Sequence, residues 1–351
     1  MNNTSSCDGA PSEMAATKIT LYSLVLAWSL FGNILVLLVI LKNKALRTNF
    51  NILIINMAIS DLVIPCLALP MKIADTTLRP MEWVVDGPFG NFLCKACYFI
   101  ADISPVVSSF SLVIIAVNRF FAIAVPVQGF LSRKRTLALI VGIWFLATVL
   151  LSPYFYIYRL ETTGWTKCIS TWSPAFDDTK AETIFTIILI TVVFVFPCIT
   201  IGVLYSVMLC KLQENSNRAA SMLNDDQFRR RQRKDKTIFI MTIVIMFLYL
   251  VLWGPFFCTL VVLSFFIKEN TASVQTVIIT VQFLGYINSA VHPCIYFCFL
   301  KKLRQGLRRL LRRMFMFQFK EPSIAVSNSR TSAMIRMTNY TTKKCSKTSY
   351  K

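Results

Sequence analysis

The sequence predicts an all-α fold: a seven-transmembrane helix bundle with an eighth, amphipathic helix at the inner membrane surface. Three observations lead there. Hydrophobic residues make up 55% of the 351 and charged ones only 15%, where a soluble domain carries about a quarter charged residues. Seven apolar runs, at roughly 19–41, 50–71, 96–123, 136–158, 183–210, 237–267 and 274–300, each supply the ~20 residues that a helix needs to cross a bilayer. Each is far longer than a buried strand, so helices follow. After the last run, FLKKLRQGLRRLLRRMF sets Leu300, Leu303, Leu307, Leu310 and Met314 on one helical face and Lys and Arg on the other, the pattern of an interfacial helix. The chain therefore divides into an amino-terminal stretch (1–18), a membrane domain (19–300), the amphipathic helix (301–316) and a polar tail (317–351) expected to be disordered.

Orientation follows from Lys and Arg. With the amino terminus outside, 29 of the 37 basic residues fall in the inner loops and tail, as the positive-inside rule requires. The formal charge of +20 is then a membrane-facing charge that suits anionic lipid, and nucleic acid is excluded as a partner. Residues 1–17 lack a basic start and an apolar core, so no signal peptide is expected and the first helix acts as its own insertion signal. Asn2-Asn3-Thr4 and Asn3-Thr4-Ser5 are overlapping glycosylation sequons, consistent with an outer amino terminus at the plasma membrane. Of eleven cysteines, only Cys7, Cys94, Cys97 and Cys168 fall on the outer side, where disulfides form.

Each span carries residues that an apolar helix does not need. Helix 1 has Gly32-Asn33; helix 2 has NMAISDL with Asp61 near its middle. Helix 3 opens at Cys94 and ends in NRF, with Arg119 twenty-five residues on. Helix 4 has Trp144 and Pro153, helix 5 Pro197 and Tyr205, helix 6 LWGP with Trp253 and Pro255, and helix 7 HPCIY with His292, Pro293 and Tyr296. In this order and at these depths, over about residues 18–315, the chain resembles the rhodopsin-like (class A) G-protein-coupled receptors, and within them the neuropeptide-receptor branch.

The resemblance assigns roles. Asp61, costly in a membrane at about 2.5–3.5 kcal/mol, is expected to meet Asn33, Ser108, Asn288 and Ser289 in a hydrated pocket that can hold an allosteric sodium ion; otherwise no cofactor is expected. His292 stands where the family usually has Asn or Asp. Free imidazole titrates near neutrality, and two readings stand: an ion pair with Asp61 that weakens or excludes sodium, and a neutral ring bonded to water. Pro293 removes a helix hydrogen bond, so the stretch reads as a hinge whose inner end carries Tyr296, the residue that meets Tyr205 on activation. Arg119 is preceded by Asn118 where the family has an acid. Asp235 on helix 6 is its candidate partner in a lock worth at most about 1 kcal/mol near water. Cys94 and Cys168 are expected to bridge helix 3 to the second outer loop, leaving Cys7 and Cys97 either free or paired.

The ligand is narrowed by exclusion. No lysine occurs between 269 and 300, so retinal is out; Tyr286 stands at its attachment position. The helix 3 position that binds amines is Ala101, and Asp102 is turned about 100° away. The outer ends interleave acids such as Asp75 and Glu182 with Tyr98, Tyr158 and Trp172, which suits a short basic or amidated peptide. Asp75, Ala101, Asp102, Pro105, Trp253, Phe257, Gln282 and Tyr286 are the candidate ligand-binding residues. The partners implied are a heterotrimeric G protein, receptor kinases and arrestin on the tail (Ser323 to Ser332), and membrane lipid. A small amine, lipid or metabolite is the alternative ligand; a seven-helix transporter or channel is the alternative class, disfavoured because no internal repeat is visible. No nucleophile–base set or metal-ligand cluster suggests an enzyme.

Overall fold

The computed structural model describes residues 13–78, 82–124, 132–221, 226–266 and 271–318, side chains 214–232, 234–235 and 313–318 excepted. Among them are seven helices long and apolar enough to cross a membrane. These are α1 (Glu13–Lys42), α2 (Asn49–Thr77), α3 (Gly87–Ile123), α4 (Arg133–Ile157), α5 (Asp178–Ser221), α6 (Asp226–Phe265) and α7 (Ala272–Phe299). A hairpin of β1 (Tyr158–Glu161) and β2 (Lys167–Ser170) joins α4 to α5, and α8 (Lys301–Gln318) follows α7. The bundle and the first turns of α8 form one compact unit, residues 1–307; residues 308–351 form a second.

The helices are longer than the apolar runs. α1 starts at Glu13, inside the amino-terminal stretch expected to precede the membrane domain, α3 at Gly87 rather than 96, and α5 at Asp178 rather than 183. α6 begins at Asp226, eleven residues before its apolar run. The apolar run marks only the part immersed in hydrocarbon, whereas backbone hydrogen bonds carry a helix on until a cap ends it. Thr48, Ser132, Asp177 and Thr271 accept from the backbone N–H three residues on, the geometry of an N-cap.

Large apolar side chains cover the outside of the bundle, and polar ones sit among the apolar residues of its core. Trp28, Phe31, Phe145, Ile199, Val203 and Phe247 point outward, while Ser29, Asn33, Asn56, Asp61, Ser108, Ser111, Asn288, Ser289 and His292 are buried. Outside, lipid is as apolar as leucine, so the polar groups cluster inside where they find partners. α3 is the axis: it packs on α2, α4, α5 and α6. Small residues set the closest approaches. A Cβ on Gly32 would lie 2.9 Å from the Pro293 ring, and one on Gly306 of α8 2.8 Å from Val39.

Prolines determine where polar side chains go. Each lacks an N–H and leaves the carbonyl four residues earlier without its helical donor. Pro293 frees Ser289 O, which accepts from Asn33 Nδ2 at 2.9 Å. Pro197 frees Val193 O within a π-turn (Thr191–Val195); it accepts from Ser109 Oγ at 2.6 Å and Tyr249 OH at 3.3 Å. Pro153 frees Val149 O, which accepts from Ser152 Oγ at 2.8 Å. The second of these ties α3, α5 and α6 at one oxygen.

Candidate functional site

At the disulfide-bearing end, Cys94 of α3 is bonded to Cys168 of β2, as the resemblance implied. The hairpin is fixed further by Trp83 N–H on Thr166 O (2.8 Å), Leu160 N–H on Asn91 Oδ1 (3.1 Å) and Thr166 Oγ1 on Asp86. Cys97 is half-buried and is not bonded to any described cysteine; its candidate partner Cys7, together with Asn2, Asn3 and the tail serines, lies outside the described residues.

The two neighbours on α3 part company. Ala101 joins a cluster with Tyr22, Ile64, Ala68, Leu69 and Tyr286, edged by Phe283. Asp102 turns instead to α4, where Tyr154 OH donates to its Oδ2 at 2.8 Å. Tyr98 stacks on Tyr158 with centroids 4.3 Å apart, and Tyr158 meets Tyr154 edge-on. Burial first, then the Asp102 charge, holds the Tyr158 phenol well above its usual range. Asp75 pairs with Lys72 at 3.8 Å. Pro105 and Gln282 are half-buried on α3 and α7.

Below this mouth lies an aromatic floor. Trp253 packs on Phe256 and Phe257, and Phe257 on Phe194 at 4.7 Å. Gly285 makes room for the indole: a Cβ there would stand 2.9 Å from Cε3 and Cζ3 of Trp253. Gly285→Val is therefore expected to lower stability by about 1–3 kcal/mol through overpacking, with part recovered in Gly285→Val/Trp253→Leu. Thermal unfolding of the three purified proteins checks this; equal melting in wild type and Gly285→Val would refute it.

Deeper still is the polar core. Asp61 Oδ2 lies 2.7 Å from His292 Nδ1, and Ser108 Oγ donates to Oδ1 at 3.4 Å. Of the other expected partners, Ser289 Oγ donates to Tyr286 O at 2.9 Å and accepts from Ser29. Asn33 is held by Ser29 and the Ser289 carbonyl, and Asn288 Oδ1 is buried with no protein donor. Of the four expected partners, Ser108 alone bonds Asp61 among the described residues, and His292 takes its other oxygen. A second polar junction was not foreseen: Trp144 Nε1 donates to Asn56 Oδ1, and Asn56 Nδ2 to Ser111 Oγ, both at 2.8 Å. The signal was Trp144, whose ring nitrogen needs an acceptor when buried.

At the opposite end Arg119 is 9% exposed, its guanidinium 5.0 Å from the Phe50 ring centroid. It lines a cavity of about 690 Å³ with Asn51, Arg233, Thr237, Lys301 and Leu303. Asn118 precedes it on α3, half-buried. The Asp235 side chain lies outside the described residues, so the lock gains no geometry. Tyr296 OH donates to Met57 Sδ at 3.4 Å, and Tyr205 packs on Phe239 at 5.1 Å; the two tyrosines engage different partners.

A polar axis, lidded at one end and hollowed at the other, suits a protein that carries a signal across a bilayer; this is the layout of a heptahelical membrane receptor. The chain belongs to the 7 transmembrane receptor (rhodopsin family), which matches it over residues 32–296. It is 27% identical over 309 residues to neuropeptide FF receptor 2 of Rattus norvegicus, covering 84% of this chain and 72% of the relative. It is 27% identical to neuropeptides B/W receptor type 1 of Homo sapiens, covering 88% and 91%, and 26% identical to the QRFP-like peptide receptor of Branchiostoma floridae, covering 85% and 78%.

Proposed function

We propose that this receptor sits in the plasma membrane with its amino terminus outside, binds a short basic or amidated neuropeptide at the disulfide end, and activates a heterotrimeric G protein at the Arg119 end. The observation that carries the reading is the cluster of acids and tyrosines at the disulfide end, with a buried arginine beside a cavity of about 690 Å³ at the other. Asp75, paired only at 3.8 Å with Lys72, attracts a cation, and the stacked Tyr98–Tyr158 pair offers it an outer π face. The peptide receptors among its relatives point to the same ligand class.

The mechanism follows from the packing. Trp253 stands where a ligand pressing on the floor reaches α6, two residues before Pro255, which lies inside that helix and removes one of its hydrogen bonds. Movement of α6 outward widens the cavity in which Arg119, Arg233, Lys301 and Lys302 leave a cationic lining for a G protein. Ligand and G protein favour the same state, so each tightens the other's binding. Phosphorylation of the tail would then recruit arrestin by adding charge.

The test is expression in cells exposed to a panel of amidated neuropeptides, with calcium and cAMP read together and an amino-terminal epitope stained on intact cells. At least one peptide is expected to give a saturable response. Arg119→Ala is expected to reduce that response at least tenfold while surface staining persists. Silence to every peptide from a receptor present at the surface would overturn the peptide reading; an epitope stained only after permeabilisation would overturn the orientation.

A further inference from the structure

The family resemblance implies sodium at Asp61, and the residues present do not fit it. A hard cation takes oxygen lone pairs. Here one carboxylate oxygen, Asp61 Oδ2, is occupied by a ring nitrogen at 2.7 Å, too close for an ion between them. The separation is that of a hydrogen bond with one proton shared, and its direction does not matter: imidazolium on carboxylate and imidazole on carboxylic acid both leave that oxygen closed. The neighbouring hydroxyls are also turned to protein. Ser60 Oγ donates to Met57 O, Ser289 Oγ to Tyr286 O, and Ser108 Oγ reaches both Ser60 and Asp61.

We infer that this receptor has exchanged the mobile sodium ion for a built-in partner: His292, fixed to α7, closes Asp61 of α2 to sodium and makes the bundle indifferent to its concentration. The energetic reason is burial. Asp61 is 1% exposed and His292 fully buried, and a buried carboxylate needs a proton or a counter-charge. A relative lacking the imidazole must take its counter-charge from solution, by mass action. This chain supplies the partner as a side chain of its own, the His292 ring, so the α2–α7 link does not vary with salt composition. Asn33 Oδ1 and Asn288 Oδ1, buried without protein donors, are the oxygens that would serve sodium once the ring is gone, and an amide at 292 would add a third.

The experiment needs neither ligand nor G protein, so its result stands apart from the signalling proposal. Full-length wild type, His292→Asn and Asp61→Asn/His292→Asn are purified, and thermal unfolding is followed in NaCl and in choline chloride at equal ionic strength. Wild type is expected to melt at the same temperature in both. His292→Asn is expected to gain a saturable, sodium-specific rise of a few degrees, because ligand bound only by the folded state stabilises it. The double variant is expected to lose that gain. A saturable sodium-specific rise in wild type overturns the inference whatever the variants do. Identical melting of His292→Asn in the two salts overturns the assignment of the exclusion to His292.

Discussion

Substitution of Cys168 by serine is expected to cost about 2–4 kcal/mol of stability, the usual contribution of a native disulfide, and to abolish peptide binding on the reading proposed above. The bond closes a loop of 74 residues between α3 and β2. What it pins is more than a loop. Leu160 pairs with Cys168 across the hairpin, and two residues back along the same strand is Tyr158, whose ring stacks on Tyr98 of α3. Releasing Cys168 frees the hairpin from α3 and loosens the stacked pair that forms one wall of the mouth. The polar ties at Asn91 and Asp86 remain, yet each is an ordinary hydrogen bond worth about 1 kcal/mol net. Unfolding of the purified variant and radioligand binding with whichever peptide activates wild type give the two readouts. Cys94→Ser should match Cys168→Ser in both, and the double variant should be no worse than either; additive losses would mean the two sulfurs act separately.

The second large effect is expected at Asp61. Asp61→Leu is nearly isosteric, but it removes the partner of His292 Nδ1 among the described residues and an acceptor of Ser108 Oγ. Breaking a buried pair by removing one member costs about 3–5 kcal/mol. His292→Leu should cost a similar amount, for it leaves the carboxylate with a single long hydrogen bond. In Asp61→Leu/His292→Leu both polar groups are gone, and the loss should be smaller than the sum of the single losses by at least about 1 kcal/mol. Urea-induced unfolding in detergent measures the cycle. Strict additivity would mean that the two side chains, although 2.7 Å apart, do not stabilise one another.

Much of the core was readable from residue types alone, because proline obeys a fixed rule. Pro293, Pro197 and Pro153 each release the carbonyl four residues earlier, and counting back gives Ser289, Val193 and Val149. Which side chain would take each oxygen was not readable, since Asn33 and Ser109 come from other helices whose rotation no local pattern fixes. Asp102 is the clearest case. The step of about 100° from Ala101 said that it pointed away from its neighbour's face, and packing supplied the destination, Tyr154 on α4. At His292 the sequence left an ion pair and a hydrated neutral ring equally open. Contact with the carboxylate came only from the approach of α7 to α2.

Composition and periodicity determined seven membrane helices, an amphipathic eighth, and the residue types that had to be satisfied inside, because hydrocarbon punishes exposed backbone and unpaired polar groups whatever the topology. Tertiary structure decided the pairings: Asp61 with His292, Asp102 with Tyr154, Trp144 with Asn56. Those depend on the rotation and tilt of each helix about its own axis. Such angles are set by close contacts such as Gly32 on Pro293 and Gly285 on Trp253, between segments far apart in the chain.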